Sequence, residues 1–187
     1  MPSGCLKLRW MNWSVNPRTL IEFVHVPRTG GYNIRTWSRR YTSDNKLKYS
    51  GHQPAKQDTN VLTILRHPVN RVISCYNCFY HKLNRPESIV EMVQSNFIYT
   101  KRYVDYWFGE KDPDYVIRFS NINNDWALFS TLHNLGLPDN MTHMHRMDDK
   151  YVPSDTELDF LHEHYESDIS YYKNLMSQLD SKTLKVC

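Results

Sequence analysis

Short apolar runs alternate along the chain with segments in which apolar residues recur at helical spacing. Leu20–Val26 stops at Pro27, and the β-branched run Val61–Leu65 stops at Arg66. Runs of this length and composition are typical of strands in the middle of a parallel sheet. After Arg66, a proline opens a helix whose apolar positions recur every three or four residues. That apolar face consists of Val69, Val72, Ile73, Tyr76 and Tyr80.

Weaker patterns predict the remaining elements. The predicted strands lie near Lys48–His52 and over Tyr115–Phe119, and the predicted helices over residues 32–41, 86–96, 123–136 and 156–179, the last with a break near Glu166–Ser167. Asn123 or Asn124 is expected to cap the third of these helices, which ends at Gly136. The aromatic segment Phe97–Phe108 fits either a helix or a loop.

The alternation of strands and helices indicates an α/β domain built on a mainly parallel sheet. A length of 187 residues fits a single domain, with residues 1–18 as an irregular lead-in. In such folds, ligands bind outside the carboxyl ends of the strands. We therefore expect the functional residues to follow strands.

Composition adds modest constraints. The net charge of +3 fits an anionic ligand but does not argue for a nucleic-acid-binding protein. No apolar run approaches the roughly 20 residues that a membrane span needs, and no hydrophobic region follows Lys7 and Arg9, so we expect a soluble intracellular protein. Cys75 and Cys78 fall inside a predicted helix without a second ligand pair, which favours two helical thiols over a zinc or redox site.

The most informative stretch is Leu20–Arg35. A predicted strand runs into Gly30 and Gly31 and then into a predicted helix. Glycines let the backbone approach an anion closely, and the helix end presents unpaired N–H groups to it. Arg28 and Arg35 add positive charge. The stretch predicts an anion-binding turn, although by itself it does not distinguish ATP from any other phosphate.

Three stretches, in this order and spacing, resemble a known family. They are His25–Gly31 (HVPRTGG), Ser50–His52 (SGH) and Leu65–Tyr76 (LRHPVNRVISCY). Together they resemble the sulfotransferases that use 3′-phosphoadenosine 5′-phosphosulfate (PAPS), nearest the uronosyl or heparan sulfate 2-O-sulfotransferase branch. That family shows a P-K/R-T-x-x-T/S loop, a G-H turn and an R-D/H-P-x-x-R-x-x-S-x-Y signature. The likeness covers Leu20–Tyr80 best.

The resemblance implies a P-loop-like three-layer fold and a role for each matching residue. Arg28 falls in the loop that holds the 5′-phosphosulfate, and Arg66 and Ser74 fall where the family holds the 3′-phosphate. His52 falls at the position of a histidine base in the 2-O branch, and imidazole is suited to proton transfer near neutral pH. The other donor-loop residues are Thr29, Gly30, Gly31, Tyr32 and Asn33.

Three positions depart from the family pattern. Tyr32 and Asn33 stand where many relatives carry Thr and Ser, and Ser50 stands where the 2-O branch carries another histidine. Outside the motifs, Arg146 lies in a long loop over residues 138–153, a region that often closes over the donor in relatives. Arg146 is therefore included among the donor-binding residues.

Other conspicuous residues have simpler interpretations. His25 is expected to be a core or supporting histidine, and Arg71 a helix-surface or ion-pair residue. His143 and His145 indicate loop chemistry rather than a metal site. The aromatic and basic segment Tyr99–Phe108 fits either a glycan groove or a solvated helix.

The resemblance implies a metal-independent transfer of the sulfuryl group from PAPS to an acceptor hydroxyl, foremost that of a carbohydrate. His52 would take the hydroxyl proton, and Arg28 would stabilise the departing adenosine 3′,5′-bisphosphate (PAP). Two alternatives stay open. One is a nucleotide or small-molecule kinase, although G-x-x-x-x-G-K-[ST] is absent. The other is a non-catalytic nucleotide-binding module. The sequence leaves the acceptor and the oligomeric state open.

Overall fold

The computed structural model describes residues 20–40, 46–80, 86–138, 140–141 and 151–183. The predicted lead-in over residues 1–18 lies outside the described residues, as do His143, His145 and Arg146. Within the described part of the chain, no helix is long and apolar enough to cross a membrane.

Within the residues that the structure describes, four strands form one parallel sheet. They are β1 (Ile21–Val24), β2 (Leu47–Tyr49), β3 (Asn60–Leu65) and β4 (Tyr115–Arg118), in the order β2-β1-β3-β4. In the register, Phe23 lies beside Tyr49 on one side and Leu62 on the other. Every neighbouring pair among these strands is parallel. The predicted α/β class with a parallel sheet is confirmed.

The described part of the chain contains six helices around the sheet. They are α1 (Tyr32–Arg40), α2 (Pro68–Tyr80), α3 (Ile89–Gln94), α4 (Ile122–Leu132), α5 (Asp155–His164) and α6 (Glu166–Thr183). Short 3₁₀ turns lie at Ile98–Thr100 and Phe119–Asn121, and a π-helical turn lies at Tyr103–Trp107. The predicted break in the last helix falls at Tyr165, between α5 and α6.

Strand side chains alternate between two cores, one on each face of the sheet. The first core includes Phe23, Leu62, Ile34 and Trp37 of α1, and Trp126 of α4. The second core includes Val24, Leu65, Trp107 and Leu175 of α6. Because both faces are covered, the strands are apolar throughout much of their length, as is usual for parallel sheets.

The strand order reverses direction between β1 and β3. From β1 the chain passes through α1 to β2 on one side, and from β3 it passes through α2 and α3 to β4 on the other. Since parallel crossovers are right-handed, opposite directions place the two connections on opposite faces. The carboxyl ends of β1 and β3 therefore flank the crevice at which such sheets bind ligands.

Serine side chains fix the starts of α3 and α5. The Glu91 amide donates to Ser88 Oγ at 3.1 Å, so α3 begins directly after Ser88 and not at the predicted Pro86. Ser154 and Glu157 form a reciprocal capping box at the start of α5. Each cap satisfies amides that have no partner inside the helix.

The predicted boundaries of α4 are wrong. Asn123 and Asn124 lie in its first turn, and Asn121 occupies the cap position. The Asn123 Oδ1 instead accepts from the Met141 amide at 2.9 Å, which ties α4 to the following chain. The helix also ends before Gly136. Asparagine competes for several local hydrogen bonds, so its presence alone does not locate a cap.

Arg71 is buried, which contradicts the expected surface or ion-pair position. Its Nη1 donates to the Tyr99 carbonyl at 2.7 Å, and its Nη2 donates to the Lys101 carbonyl at 2.8 Å. The guanidinium carbon lies 4.9 Å from the Tyr103 ring centroid. From α6, Asp168 accepts the Tyr103 amide at 2.6 Å. These contacts hold the aromatic segment, for which the sequence left helix or loop open, as short turns against α2 and α6.

Replacing Arg71 with alanine is expected to lower the free energy of unfolding by about 3 kcal/mol or more, because the buried carbonyls of Tyr99 and Lys101 would lose their donors and a cavity would form. Urea denaturation measures this loss. The control is Arg102→Ala, which removes an exposed ion pair with Asp105 and should cost less than about 1 kcal/mol. Equal costs for the two variants would contradict the structural role of Arg71.

Candidate functional site

The turn between β1 and α1 adopts a left-handed backbone at two residues. Arg28 has φ +65° and Gly30 has φ +90°. Glycine tolerates this conformation, whereas a residue with a Cβ pays about 1 kcal/mol for it. The buried Thr29 hydroxyl donates to the Val26 carbonyl at 2.8 Å and closes the turn. An arginine held in this backbone conformation is a strained feature of the kind that concentrates at functional sites.

Both glycines of the turn lie against packed side chains. A Cβ added at Gly30 would lie 2.8 Å from Cδ1 of Ile122 on α4. A Cβ added at Gly31 would lie 2.5 Å from Cδ2 of His25 and 2.8 Å from Cζ of Phe23. Packing therefore requires glycine at both positions, and the left-handed backbone conformation favours it at position 30 as well.

The start of α1 follows the turn directly. The Arg35 amide donates to the Gly31 carbonyl at 3.0 Å in the first turn of the helix. Of the two predicted donor-binding residues in this turn, Tyr32 is exposed and Asn33 is buried. The helix end adds partial positive charge and amide donors beside the turn.

Three residues predicted to contact phosphates lie together in the structure. Arg28 Nε donates to Ser74 Oγ at 3.2 Å across 46 residues of sequence. Arg66 Nη1 donates to the Arg28 carbonyl at 3.3 Å across 38 residues. The Arg66 guanidinium carbon lies 4.6 Å from the ring centroid of Phe119, which follows β4. The ends of β1, β3 and β4 and the second turn of α2 thus converge.

Among the described residues, no carboxylate forms an ion pair with Arg28 or Arg66 of this cluster. Burial, followed by repulsion from Arg28, lowers the pKa of Arg66 below its ordinary value. In residues 20–40, 46–80, 86–138, 140–141 and 151–183, neither guanidinium forms an ion pair with a carboxylate. The ion pairs found there are Arg102–Asp105, Lys111–Asp114 and Arg118–Asp125. An anion between Arg28 and Arg66 would relieve their repulsion.

His52 lies in the loop after β2 and turns back over the end of β1. Its Nδ1 lies 2.8 Å from the carbonyl oxygen of His25. Because a carbonyl oxygen can only accept, Nδ1 carries the hydrogen and Nε2 is the nitrogen that can take a proton. Aromatic rings surround the imidazole, with centroid distances of 4.7 Å to His25, 5.3 Å to Tyr99 and 6.5 Å to Trp107.

His25 lies just beyond the end of β1 and supports His52. Its Nδ1 shares a hydrogen bond of 3.0 Å with the Tyr49 hydroxyl, and its ring stacks on Phe23 at 5.7 Å. Burial, with smaller contributions from His52 and Arg35, lowers the pKa of His25 to about 3. The His25 imidazole is consequently neutral at physiological pH, as suits a supporting residue.

A cavity lined by Val93, Thr100, Arg102 and their neighbours lies away from this cluster. It has a volume of about 570 Å³, and none of the predicted site residues lines it. Lys101 Nζ donates to Asn96 Oδ1 and lies over the Tyr106 ring, and Arg102 pairs with Asp105. The basic residues of the aromatic segment are therefore engaged with neighbouring side chains.

The cysteine pair lies on α2, as the sequence predicted. The Cys75 thiol is buried and lies 3.4 Å from the Tyr99 carbonyl, to which it donates. Burial raises its pKa to about 11, so it stays protonated. The residues that the structure describes contain no group of three or more His, Cys, Asp or Glu side chains arranged to hold a metal ion.

Sequence reasoning missed two aromatic residues of the site, Tyr49 and Phe119, and included a third, Tyr99, only in a segment that fits either a glycan groove or a solvated helix. Tyr49 ends β2, Phe119 follows β4, and Tyr99 precedes the π-helical turn. The rule that ligands bind beyond the carboxyl ends of parallel strands could have found Tyr49 and Phe119. The position of Tyr99 depends on the contacts of the segment 97–108, for which the sequence pattern left helix or loop open.

Comparison of the chain with protein-family models, with curated proteins and with solved structures finds no match. Support for a function therefore comes from the geometry of the site and from the resemblance of its motifs.

Replacing Gly31 with alanine is expected to lower the free energy of unfolding by about 1–3 kcal/mol, because the new Cβ overpacks against His25 and Phe23. Thermal or urea denaturation measures the loss. In a His25→Ala background the same substitution should cost less, because one of the two obstructing rings is gone. Equal losses of unfolding free energy in the two backgrounds would show that His25 is not the reason why position 31 requires a glycine.

His25 is expected to make the folded state sensitive to acid. Its pKa is lowered from 6.5 to about 3 on folding, so between these values the unfolded state binds the extra proton. The free energy of unfolding should then fall by up to about 1.4 kcal/mol per pH unit as the pH drops below 6.5. Urea denaturation from about pH 7 to about pH 4 tests this. The stability difference between wild type and His25→Phe should shrink on acidification, and parallel pH profiles would contradict the assignment.

Proposed function

We propose that this protein is a sulfotransferase that moves the sulfuryl group from PAPS to an acceptor hydroxyl, on a P-loop-like α/β fold. The observation that carries the proposal is the cluster of Arg28, Arg66 and Ser74 at the ends of β1 and β3. These residues come from two separate motifs of the resemblance, and they meet through hydrogen bonds of 3.2 and 3.3 Å. Two arginines without a carboxylate partner in the described part of the chain suit a multiply charged phosphate ligand.

The cluster supports two phosphate positions. Ser74 Oγ accepts from Arg28 Nε, so its own proton is available for donation to a 3′-phosphate beside Arg66. Arg28 and the amides from Thr29 to Asn33 would hold the 5′-phosphosulfate. Because the Thr29 hydroxyl donates to Val26, Thr29 would contribute its backbone amide rather than its side chain.

The proposed reaction is an in-line displacement at sulfur. The acceptor oxygen forms a bond to sulfur while the bond between sulfur and the 5′-phosphate oxygen breaks. The acceptor proton goes to His52 Nε2, and the bisphosphate leaves with the bonding electron pair. Arg28 and the turn amides stabilise the charge that develops on the leaving phosphate. Positioning of both substrates supplies much of the remaining rate.

A carbohydrate is the proposed acceptor class. Tyr99 is partly exposed, and its ring lies edge-on to His52 at 5.3 Å. A partly exposed aromatic ring beside the base supports binding of a sugar ring by stacking. A kinase is less well supported, because Tyr32 and Asn33 start α1 where a phosphate-binding lysine and a magnesium-binding hydroxyl would be needed.

We expect PAP to bind at least about tenfold more tightly than AMP, since a hydrogen-bonded charge contributes about 1.5–3 kcal/mol. Isothermal titration calorimetry with PAP, AMP and ATP measures this preference. Arg66→Ala and Ser74→Ala should weaken PAP binding by about tenfold or more while leaving AMP binding nearly unchanged. Arg102→Ala is the matched control outside the site. No preference for the 3′-phosphorylated nucleotide would contradict the proposal.

Turnover separates an enzyme from a binding module. With radiolabelled PAPS and a panel of hydroxyl acceptors, His52→Ala should lower sulfate transfer by about 10²–10⁴-fold and leave the PAP affinity unchanged. Tight PAP binding without transfer to any acceptor would favour the non-catalytic module. Magnesium-dependent ATP turnover would instead favour the kinase.

A further inference from the structure

A series of contacts holds His52 in place, and this series begins outside the proposed phosphate-binding residues. Two residues in this series of contacts, Tyr49 and His25, have no role that the resemblance implies, although His25 is the first residue of the His25–Gly31 motif. Both lie at the ends of neighbouring parallel strands, β2 and β1. Their contacts suggest a role in the reaction itself rather than in the core alone.

We propose that Tyr49 and His25 are positioning residues that fix the orientation and the tautomer of His52, so that Nε2 faces the acceptor as the base. The proposal rests on the proposed function for its catalytic consequence. The orientation and the tautomer themselves are properties of the free protein.

The backbone of His25 forms two hydrogen bonds with the loop that carries His52. Its amide donates to the Gly51 carbonyl at 3.3 Å, and its carbonyl accepts from His52 Nδ1 at 2.8 Å. Gly51 has φ +71°, which lets the chain turn back so that the imidazole reaches this carbonyl. A single peptide segment therefore sets both the path of the loop and the protonated nitrogen of His52.

The ring of His25 packs beside the ring of His52. Its centroid lies 4.7 Å from that of His52 on one side and 5.7 Å from that of Phe23 on another. A Cβ at Gly31 would come within 2.5 Å of the same ring. Because these neighbours leave little room for movement, a shift of the His25 ring would be transmitted to His52.

Tyr49 fixes the orientation of the His25 ring. Its hydroxyl lies 3.0 Å from His25 Nδ1, and its own ring lies beneath Arg35 of α1 at 5.9 Å. Besides Tyr49, the titratable or charged groups that act on His25 within the described residues include His52 and Arg35. The lowered pKa of His25 keeps its imidazole neutral, so the contact with Tyr49 persists at physiological pH without adding a charge beside the base.

The test compares Tyr49→Phe with the matched control Tyr171→Phe, which removes a hydroxyl that donates to Asp112 at 2.7 Å outside the site. Tyr49→Phe should lower kcat about five- to tenfold, the rate equivalent of one hydrogen bond, without changing the acceptor KM or the PAP affinity. Tyr171→Phe should leave kcat unchanged. In a His25→Phe background, Tyr49→Phe should cause no further loss of kcat, because the Tyr49 hydroxyl has already lost its hydrogen-bond partner, His25 Nδ1.

Nitrogen-15 NMR of the imidazoles provides a second readout that needs no turnover. In the free wild-type protein, His52 should show a hydrogen on Nδ1 and a bare Nε2, and Tyr49→Phe should shift it towards a mixture of tautomers. A hydrogen on Nε2 in the wild type, an unchanged His52 spectrum in Tyr49→Phe, or additive losses in the double variant would overturn the proposal. A Tyr49-dependent tautomer in a protein that transfers no sulfate would refute the proposed function and still support the positioning role.

Discussion

The buried guanidinium of Arg71 connects the two halves of the site. It extends from α2, about one turn before Ser74, and donates to the carbonyls of Tyr99 and Lys101. Ser74 meets Arg28, whereas Tyr99 packs against His52. The same side chain thus sets the spacing between the helix that carries Ser74 and the aromatic segment beside His52. Loss of Arg71 would affect the geometry of the site as well as the stability of the core.

The three arginines near the end of β3 have different electrostatic environments. Arg71 is fully buried, and two backbone carbonyls accept hydrogen bonds from its Nη1 and Nη2, while its Nε has no partner among the described residues. Arg66 and Arg28 share one hydrogen bond and repel each other. A cation that donates to two carbonyls contributes to structure, whereas two neighbouring cations that form no ion pair with the described carboxylates favour an anionic ligand. This contrast supports a binding role for Arg66 and Arg28 and a structural role for Arg71.

The sequence predicted the elements whose residues all favour one conformation. Strand β3 begins one residue before the predicted Val61–Leu65, and α2 starts at the predicted Pro68 and includes the predicted apolar face through Tyr80. The convergence of Arg28 and Arg66 could also be expected, because parallel strands end at the same edge of a sheet. By contrast, the cap of α4 and the burial of Arg71 depend on contacts with distant segments, such as Met141 and Lys101. Local pattern does not contain that information.

His25 and Gly31 restrict each other's replacement. The His25 imidazole, which packs beside His52, occupies the space that any side chain at position 31 would need. Among related chains, a side chain at position 31 is therefore easier to accommodate where position 25 carries a smaller residue than histidine. Variation in the turn between β1 and α1 is in this way linked to variation beside His52.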